Sequence, residues 1–503
     1  MPRLTRRETL RTATLGAAAA ATGLPNGAAE PRAASAAEAM PDQPLFGAQL
    51  WQLPNGLRVA FVESRRAPVV AQYLFYGAGA GEDPPGRSGT AHFLEHMMFK
   101  GSRRVATGAF SLAVAREGGN DNAFTSRDVT AYHQHVEASR LQLVASMEAD
   151  RMAAPLIPPE TVEPERLVVL EERRLRTDSN PRARFREAFD AALWGPQHWH
   201  GRPVIGWEDE IRAITRDDLL AFHARWYAPA NAVLAIAGDV REGELRRIVE
   251  AEYGAVPARP EGASLGRRDR AAPVLRPADA PPARLVRHDP GVREAAHIRS
   301  WMAPSLTATL PTPGPMPGGG TLGSEHAYPL EVLAKVLGGG QGSRLHRALV
   351  ETGLVVAAGA SYDSDVVGAG EFGLYATPQR DTPPARLEQE MAATVDRVLQ
   401  DGVTEAEVAR GIRQLTAGAL LALDSLGAAP RMIGDALASG LPIEAVEHWP
   451  ARLRAVTAGQ VTAAARAVFG HAQDASGWLL PEGAAAPPER APGLAAARAG
   501  QPI

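Results

Sequence analysis

The 503-residue sequence contains no cysteine. A disulfide framework, a thiolate nucleophile and any Cys-based metal site are therefore excluded, and a bound metal has to be held by His, Asp or Glu. Lysine is scarce beside arginine while Ala, Gly and Pro are frequent, which we read as high-GC coding bias rather than as a functional signal. An excess of one charge is lacking too: 53 Lys and Arg stand against 57 Asp and Glu, a formal net charge of −4. Nucleic-acid binders usually carry a basic face, so no nucleic-acid partner is expected. No stretch reaches the run of about 18 apolar residues that a bilayer span needs, so no membrane span is expected. What remains is a globular composition, 45% hydrophobic and 22% charged, in a chain long enough for several domains.

The N-terminus reads as a targeting segment. In MPRLTRRETLRTATLGAAAAATGLP, Arg6 and Arg7 precede a weakly apolar, Ala-rich stretch, and Ala37-Glu38-Ala39 offers an A-x-A cleavage site. This is similar to a twin-arginine export signal over residues 1–39 and predicts a periplasmic mature protein.

Downstream, LWQLPNGLRVAFVES carries apolar runs on either side of Asn55-Gly56, a tight-hairpin signal. Strand and helix patterns continue to NAVLAIAGDV and a helix from 242, which defines an N-terminal unit at 46–255. Residues 256–285 are rich in Pro, Arg and Ala without apolar period and predict a semi-extended linker. The segment 286–482 then restates the first unit. AAHIRSWMAP answers VVAQYLFYGAG, YPLEVLAKVLGGG answers AHFLEHMMFKG, EFGLYATP answers DVTAYHQHV, and ASGWLLPEG answers NAVLAIAGDV. Two copies of one α/β unit of about 200 residues follow, with imidazole and acid kept only in the first. Residues 311–323 predict a flexible loop, and 483–503 a disordered tail.

The chemistry concentrates in HFLEH, residues 92–96. Side chains four apart share a helix face, so His92 and His96 can aim two imidazoles at one metal. Glu95 lies at the side of that face, close enough to act on water without being a ligand. A catalytic zinc wants three protein ligands and an open position, so a third must come from elsewhere. EPERLVVLEERRLR offers carboxylates: Glu165 and Glu172 share a face after two turns, and Glu171 is rotated by about 100°. Periodicity alone does not choose among the three. The order HxxEH is the inverse of HExxH.

GTAHFLEHMMFKGS, GGNDNAFTSRDVTAYHQHV, ERLVVLEERR and WYAPANAVLAIAGDV together resemble the pitrilysin-type (inverzincin) zinc metallopeptidases, bacterial homologues of the mitochondrial processing peptidase among them. The likeness covers roughly residues 47 to 480. It implies an α+β fold: two homologous α/β domains, each a mixed, largely antiparallel sheet covered by helices, facing each other as a clam shell. It implies one zinc per chain on His92, His96 and Glu172, with Glu165 in a supporting catalytic role. Asn122 and Ala123 fall on the edge strand that pairs with an extended peptide substrate. The implied activity is zinc-dependent endopeptidase cleavage of peptides or unfolded segments, with Glu95 activating zinc-bound water.

One part of the pattern is missing. Active relatives carry an Arg and a Tyr seven apart in the second half, and, allowing for a one-residue deletion, those positions fall here on Val350 and Val356. Arg344, Arg347 and Tyr362 lie near but off the matching places. The expectation is a dimer, in particular a heterodimer whose sister chain supplies the Arg/Tyr pair. The alternative is a non-catalytic assembly subunit of the same fold, although such a scaffold has no need for His92, Glu95, His96 and Glu172 together.

Overall fold

The computed structural model describes residues 43–258, 270, 273, 283–311, 321–470, 473–489 and 494. The expected leader, 1–39, lies outside the described residues. Six strands form the first sheet: β1 (Gln49–Gln52), β2 (Arg58–Glu63), β3 (Val69–Tyr76), β4 (Asn120–Thr125), β5 (Thr130–Glu137) and β6 (Ala232–Gly238), in the order β1-β2-β6-β3-β5-β4. The β1–β2 turn holds Gly56 at φ 93°, a conformation that favours glycine. Only β2 and β6 run parallel; all other pairs are antiparallel.

The second sheet contains β7 (Ala283–Asp289) and β8 (Ala296–Ala303). A separate ribbon of β9 (Leu310–Pro311) and β10 (Thr321–Leu322) closes the base of the predicted 311–323 loop. β11 (Val355–Tyr362), β12 (Gly370–Pro378) and β13 (Asp474–Pro481) complete the sheet, in the order β11-β12-β8-β13-β7. Counted from its parallel pair it runs β7-β13-β8-β12-β11, where the first sheet runs β2-β6-β3-β5-β4. The halves are copies of one topology, with β1 added to the first. Each is a mixed, largely antiparallel sheet covered by helices, the α+β clam-shell class expected from the sequence.

The covering helices are exchanged between the halves. Helix Pro181–Trp194 of the first segment packs on β7, β13 and β8, while helix Ala428–Ala438 of the second packs on β2, β3 and β6. Glycine makes each approach possible. A Cβ on Gly477 would lie 2.7 Å from Phe189, and Gly434 leaves no room for one against Phe75. Phe189 and Trp194 thereby join the core of the second sheet, and Ala429, Ile433 and Leu437 the core of the first. Burial of apolar area, at about 25 cal/mol per Å², thus couples the halves directly. The segments 46–255 and 286–482 are not two separately closed cores.

Two further boundaries differ from expectation. β7 begins at Ala283, so the last residues of the 256–285 linker are strand. Arg270, inside that linker, is buried: it pairs with Glu82 at 2.7 Å and with Asp128, and its guanidinium lies 4.5 Å from the Trp199 ring centroid. A guanidinium with two carboxylates and an aromatic face is satisfied enough to be removed from water. In the expected tail, 483–503, the Pro488 carbonyl accepts from Arg284 Nη2 at 2.8 Å, and Leu494 is only 5% exposed within the second core. Most of residues 483–489 are exposed, but Leu494 is packed against Trp301, Met391 and Val395 of the second core. Among the described residues no helix is long and apolar enough to cross a membrane.

Candidate metal centre

Helix Thr90–Met97 carries HFLEH on the face of the first sheet opposite helix Ala428–Ala438. Its start is set by Gly89, at φ 90°, and by Asp83, whose carboxylate accepts from the Gly89 and Ala91 amides at 2.7 and 2.8 Å. Those amides would otherwise be orphaned in a buried first turn. Ala91, Phe93, Leu94 and Met97 fill the core, which fixes the helix about its axis and leaves Glu95 and His96 at the half-buried edge. Helix Pro159–Arg173 packs across it and contributes Glu165 and Glu172.

The two helices bring His92, His96 and Glu172 together, with their ligand atoms within 4.8 Å of one another. Among the described residues no other trio of His, Asp or Glu meets in this way. Glu172 Oε2 lies 3.2 Å from His96 Nε2 and 3.8 Å from His92 Nε2. A tetrahedron built on zinc–ligand bonds of about 2.0–2.1 Å has edges of about 3.3 Å, so these separations and this donor set fit zinc. Glu171, which periodicity left as an alternative, points away and pairs with Arg174 on the surface.

A second layer of contacts orients the first. Glu165 Oε1 lies 2.9 Å from His96 Nδ1, leaving Nε2 toward Glu172, and its other oxygen meets Lys100. Carboxylates placed behind a metal-binding imidazole select its tautomer and hold its ring. Glu165 therefore acts on His96 rather than facing the open side of the trio. Glu172 keeps Oε2 for the histidines while Oε1 is held by Arg176, in the wider π-type turn that ends its helix. Thr125 of β4 donates its hydroxyl to Glu95 Oε2 at 2.6 Å.

The titration of these groups follows from the contacts. Burial pushes the Glu95 carboxyl above its ordinary value, against the hydrogen bond from Thr125. Burial works against ionisation at His96 also, but the Glu165 and Glu172 carboxylates override it and raise the imidazole to about 9. Burial opposes the Glu172 charge, and the bond to His96 with the charges of His92 and Arg176 outweighs it, holding the carboxyl at about 2. Glu165 is likewise lowered despite burial, by His96 and Lys100. Without metal the trio is a hydrogen-bonded ion-pair cluster.

Asn122 and Ala123 lie on β4, the outermost strand, which pairs only with β5. The Ala123 amide is capped by Asn122 Oδ1 at 3.0 Å. In the second half, Arg344 is committed to Glu407 at 2.8 Å, Arg347 to the Gly342 carbonyl, and Tyr362 to the Pro304 carbonyl at 2.5 Å. Val356 stands 57% exposed where an Arg/Tyr pattern would put its tyrosine.

Lys100, Thr125, Arg176 and Asp83 were not singled out from the sequence. Lys100 and Arg176 each stand four residues beyond a site residue, a spacing that carried the signal. Thr125 and Asp83 had none, since strand β4 and the loop before the helix reach the site only through the fold. Replacing Glu165 by Gln is expected to weaken zinc binding about 10–100-fold while the protein stays folded, as measured by competition against a chelator.

The chain was compared with known proteins. Residues 58–203 match the family model described as Insulinase (Peptidase family M16), and residues 213–415 match that of the Peptidase M16 inactive domain. An uncharacterized zinc protease of Mycobacterium tuberculosis is 32% identical over 419 residues, 82% of this chain and 89% of that protein. The zinc protease PqqE of Helicobacter pylori is 28% identical over 360 residues, 71% of this chain and 76% of that one. Among solved structures, a protease from Helicobacter pylori superposes with a TM-score of 0.74 at 23% identity, covering 87% of this chain and all of the other. A chain of complex III from Candida albicans superposes with a TM-score of 0.70 at 15% identity, covering 86% of this chain and 96% of that one. At these identities both structures speak to the fold alone.

Proposed function

The chain belongs to peptidase family M16, the pitrilysin-type insulinase family, and on that premise we propose that it is a zinc-dependent endopeptidase of peptides and unfolded segments. The observation that carries this reading is the meeting of His92, His96 and Glu172 beside the buried carboxyl of Glu95. Zinc, when bound, supplies a Lewis acid that brings the pKa of water from about 15.7 to near 7 and polarises a carbonyl. His92 Nε2, His96 Nε2 and Glu172 Oε2 would hold it, one ion per chain.

The remaining work falls to side chains of this protein. Glu95 takes the proton of the attacking water on its carboxylate and later passes it to the leaving amine. Burial, which raises its pKa, strengthens the carboxylate as a base toward that water, and the Thr125 hydroxyl holds the carboxyl in place. Glu165 and Lys100 keep the His96 ring turned toward Glu172. The free edge of β4, at Asn122 and Ala123, offers backbone groups to an extended substrate, so affinity comes with little demand on sequence. No covalent intermediate is called for, in keeping with a chain that has no cysteine. On the leader sequence alone, the reading places the mature enzyme in the periplasm.

This reading includes a partner. Arg344, Arg347 and Tyr362 are tied to their own domain, so we assign the missing Arg/Tyr pair to a sister chain in a heterodimer. The zinc-loaded protein alone is expected to cleave unstructured peptides poorly, and an added sister chain to restore turnover. Full activity of the isolated chain would remove the partner from the scheme; no cleavage with any partner would favour the assembly-subunit alternative.

A further inference from the structure

We propose that Arg431 is a specificity-determining residue, which selects an acidic substrate side chain on the face of β4 turned away from the metal centre. The proposal rests on the reading of β4 as the strand that pairs with substrate. Along β4, Thr125 points to Glu95 and Ala123 packs with the metal-side core. Asn122 and Phe124, by strand alternation, project to the other face, where they stand opposite His133 and Ala131 of β5. A peptide laid on this edge must alternate in the same way. Residues flanking the cleaved bond on one side of the sheet meet the metal helices, and their immediate neighbours meet whatever covers the other side.

What covers it is the first turn of helix Ala428–Ala438, the helix lent by the second half. The Arg431 guanidinium lies 5.3 Å from the Phe124 ring centroid. Beside it, Tyr73 stacks on His133 with centroids 4.7 Å apart, and the Tyr73 hydroxyl meets His135 Nε2 at 3.1 Å. Burial keeps both imidazoles neutral, and Arg431 adds to this at His133, which is lowered to about 4. The patch is therefore aromatic and cationic.

Several other arginines near the domain seam are neutralised by a carboxylate, and Arg431 is not. Arg127 pairs with Asp190, Arg186 with Glu371, and Arg344 with Glu407. Among the described residues no acid stands within ion-pair distance of Arg431, whose guanidinium lies over the Phe124 ring and near Tyr73 and His133. A guanidinium stacked on an aromatic face keeps its fork of donors free for a carboxylate, which it binds in bidentate fashion. The bland reading, a solvated arginine at a helix start, makes no claim on peptide sequence and is what the experiment has to beat.

Binding is measured separately from turnover, with the zinc-loaded Glu95→Gln protein and fluorescent unstructured peptides. The peptides differ in one position, Glu, Gln or Lys, stepped along the sequence, and anisotropy gives Kd. At one position Glu is expected to bind about tenfold or more tightly than Gln, the scale of a charge-assisted hydrogen bond. Arg431→Gln should erase the difference, and Arg431→Glu should transfer the preference to Lys. The proposal is overturned if the parent shows no Glu preference, if folded Arg431→Gln retains it, or if no peptide binds. Should Arg431→Gln and Arg431→Glu not fold, Arg431→Lys decides: the Glu preference is expected to fall, since an ammonium cannot bind a carboxylate in bidentate fashion, and an unchanged preference overturns the proposal. Charge-selective binding without any cleavage by the Glu95-intact protein, alone or with a sister chain, would sink the peptidase reading and leave this one standing. Cleavage without charge selectivity would do the reverse.

Discussion

With Glu95 replaced by Gln, the protein is expected to keep its zinc and to lose cleavage by about 10²–10⁴-fold, the contribution of a positioned general base. The two halves of that result come from different atoms. Zinc retention follows because His92, His96 and Glu172 form the donor set without Glu95. Gln has nearly the same shape, and its carbonyl can still accept from Thr125, which now holds Glu95 Oε2 at 2.6 Å. Lost cleavage follows because an amide cannot take a proton from water or return one to an amine. Metal content by elemental analysis and turnover on an unstructured peptide measure the two separately. A variant that cleaves as fast as the parent would remove Glu95 from the mechanism.

Truncation of Glu172 to Ala has the second large expected effect, on the metal itself. Its loss removes one of three ligands, so zinc affinity should fall by more than the roughly 100-fold of a supporting contact such as Glu165. Thermal stability then reports the same event. A ligand that binds only the folded state at 1,000 times its Kd contributes about 4.1 kcal/mol, so a chelator should lower the midpoint of the parent and leave that of Glu172→Ala unmoved. The metal-free parent is still expected to fold. Protonated His96, ionised Glu172 and Arg176 compensate one another there, and Asp83 continues to cap the helix that carries HFLEH. A parent whose midpoint ignores the chelator would argue against a metal at this trio.

Local spacing made much of this legible in advance. An imidazole pair four residues apart defines a helix face wherever the helix goes, so His92 and His96 were readable as a unit with Glu95 beside them. The repeated order of apolar runs likewise announced two copies of one α/β unit, whereas the place of β6 between β2 and β3, a long helical segment after β5, is decided only by the fold. Periodicity faltered at the third ligand. Glu165, Glu171 and Glu172 lie within one helix, and only its crossing of Thr90–Met97 assigns Glu172 to the trio, Glu165 to the back of His96, and Glu171 to the surface.

By itself, then, the sequence determined the chemistry available: no thiol, no strong charge field, two histidines and a carboxylate in register, and a duplicated α/β unit. Tertiary structure alone decided how those groups are held. Thr125 reaches Glu95 from a strand 30 residues away, Arg270 ties the linker to Glu82 and Asp128, and Leu494 packs into the second core. The exchange of helices that brings Arg431 over Phe124 is of the same kind. The physical reason is range: a pattern of 3.6 or 2 residues encodes which side chains share a face, whereas the partner of that face is selected by burial among elements hundreds of residues apart.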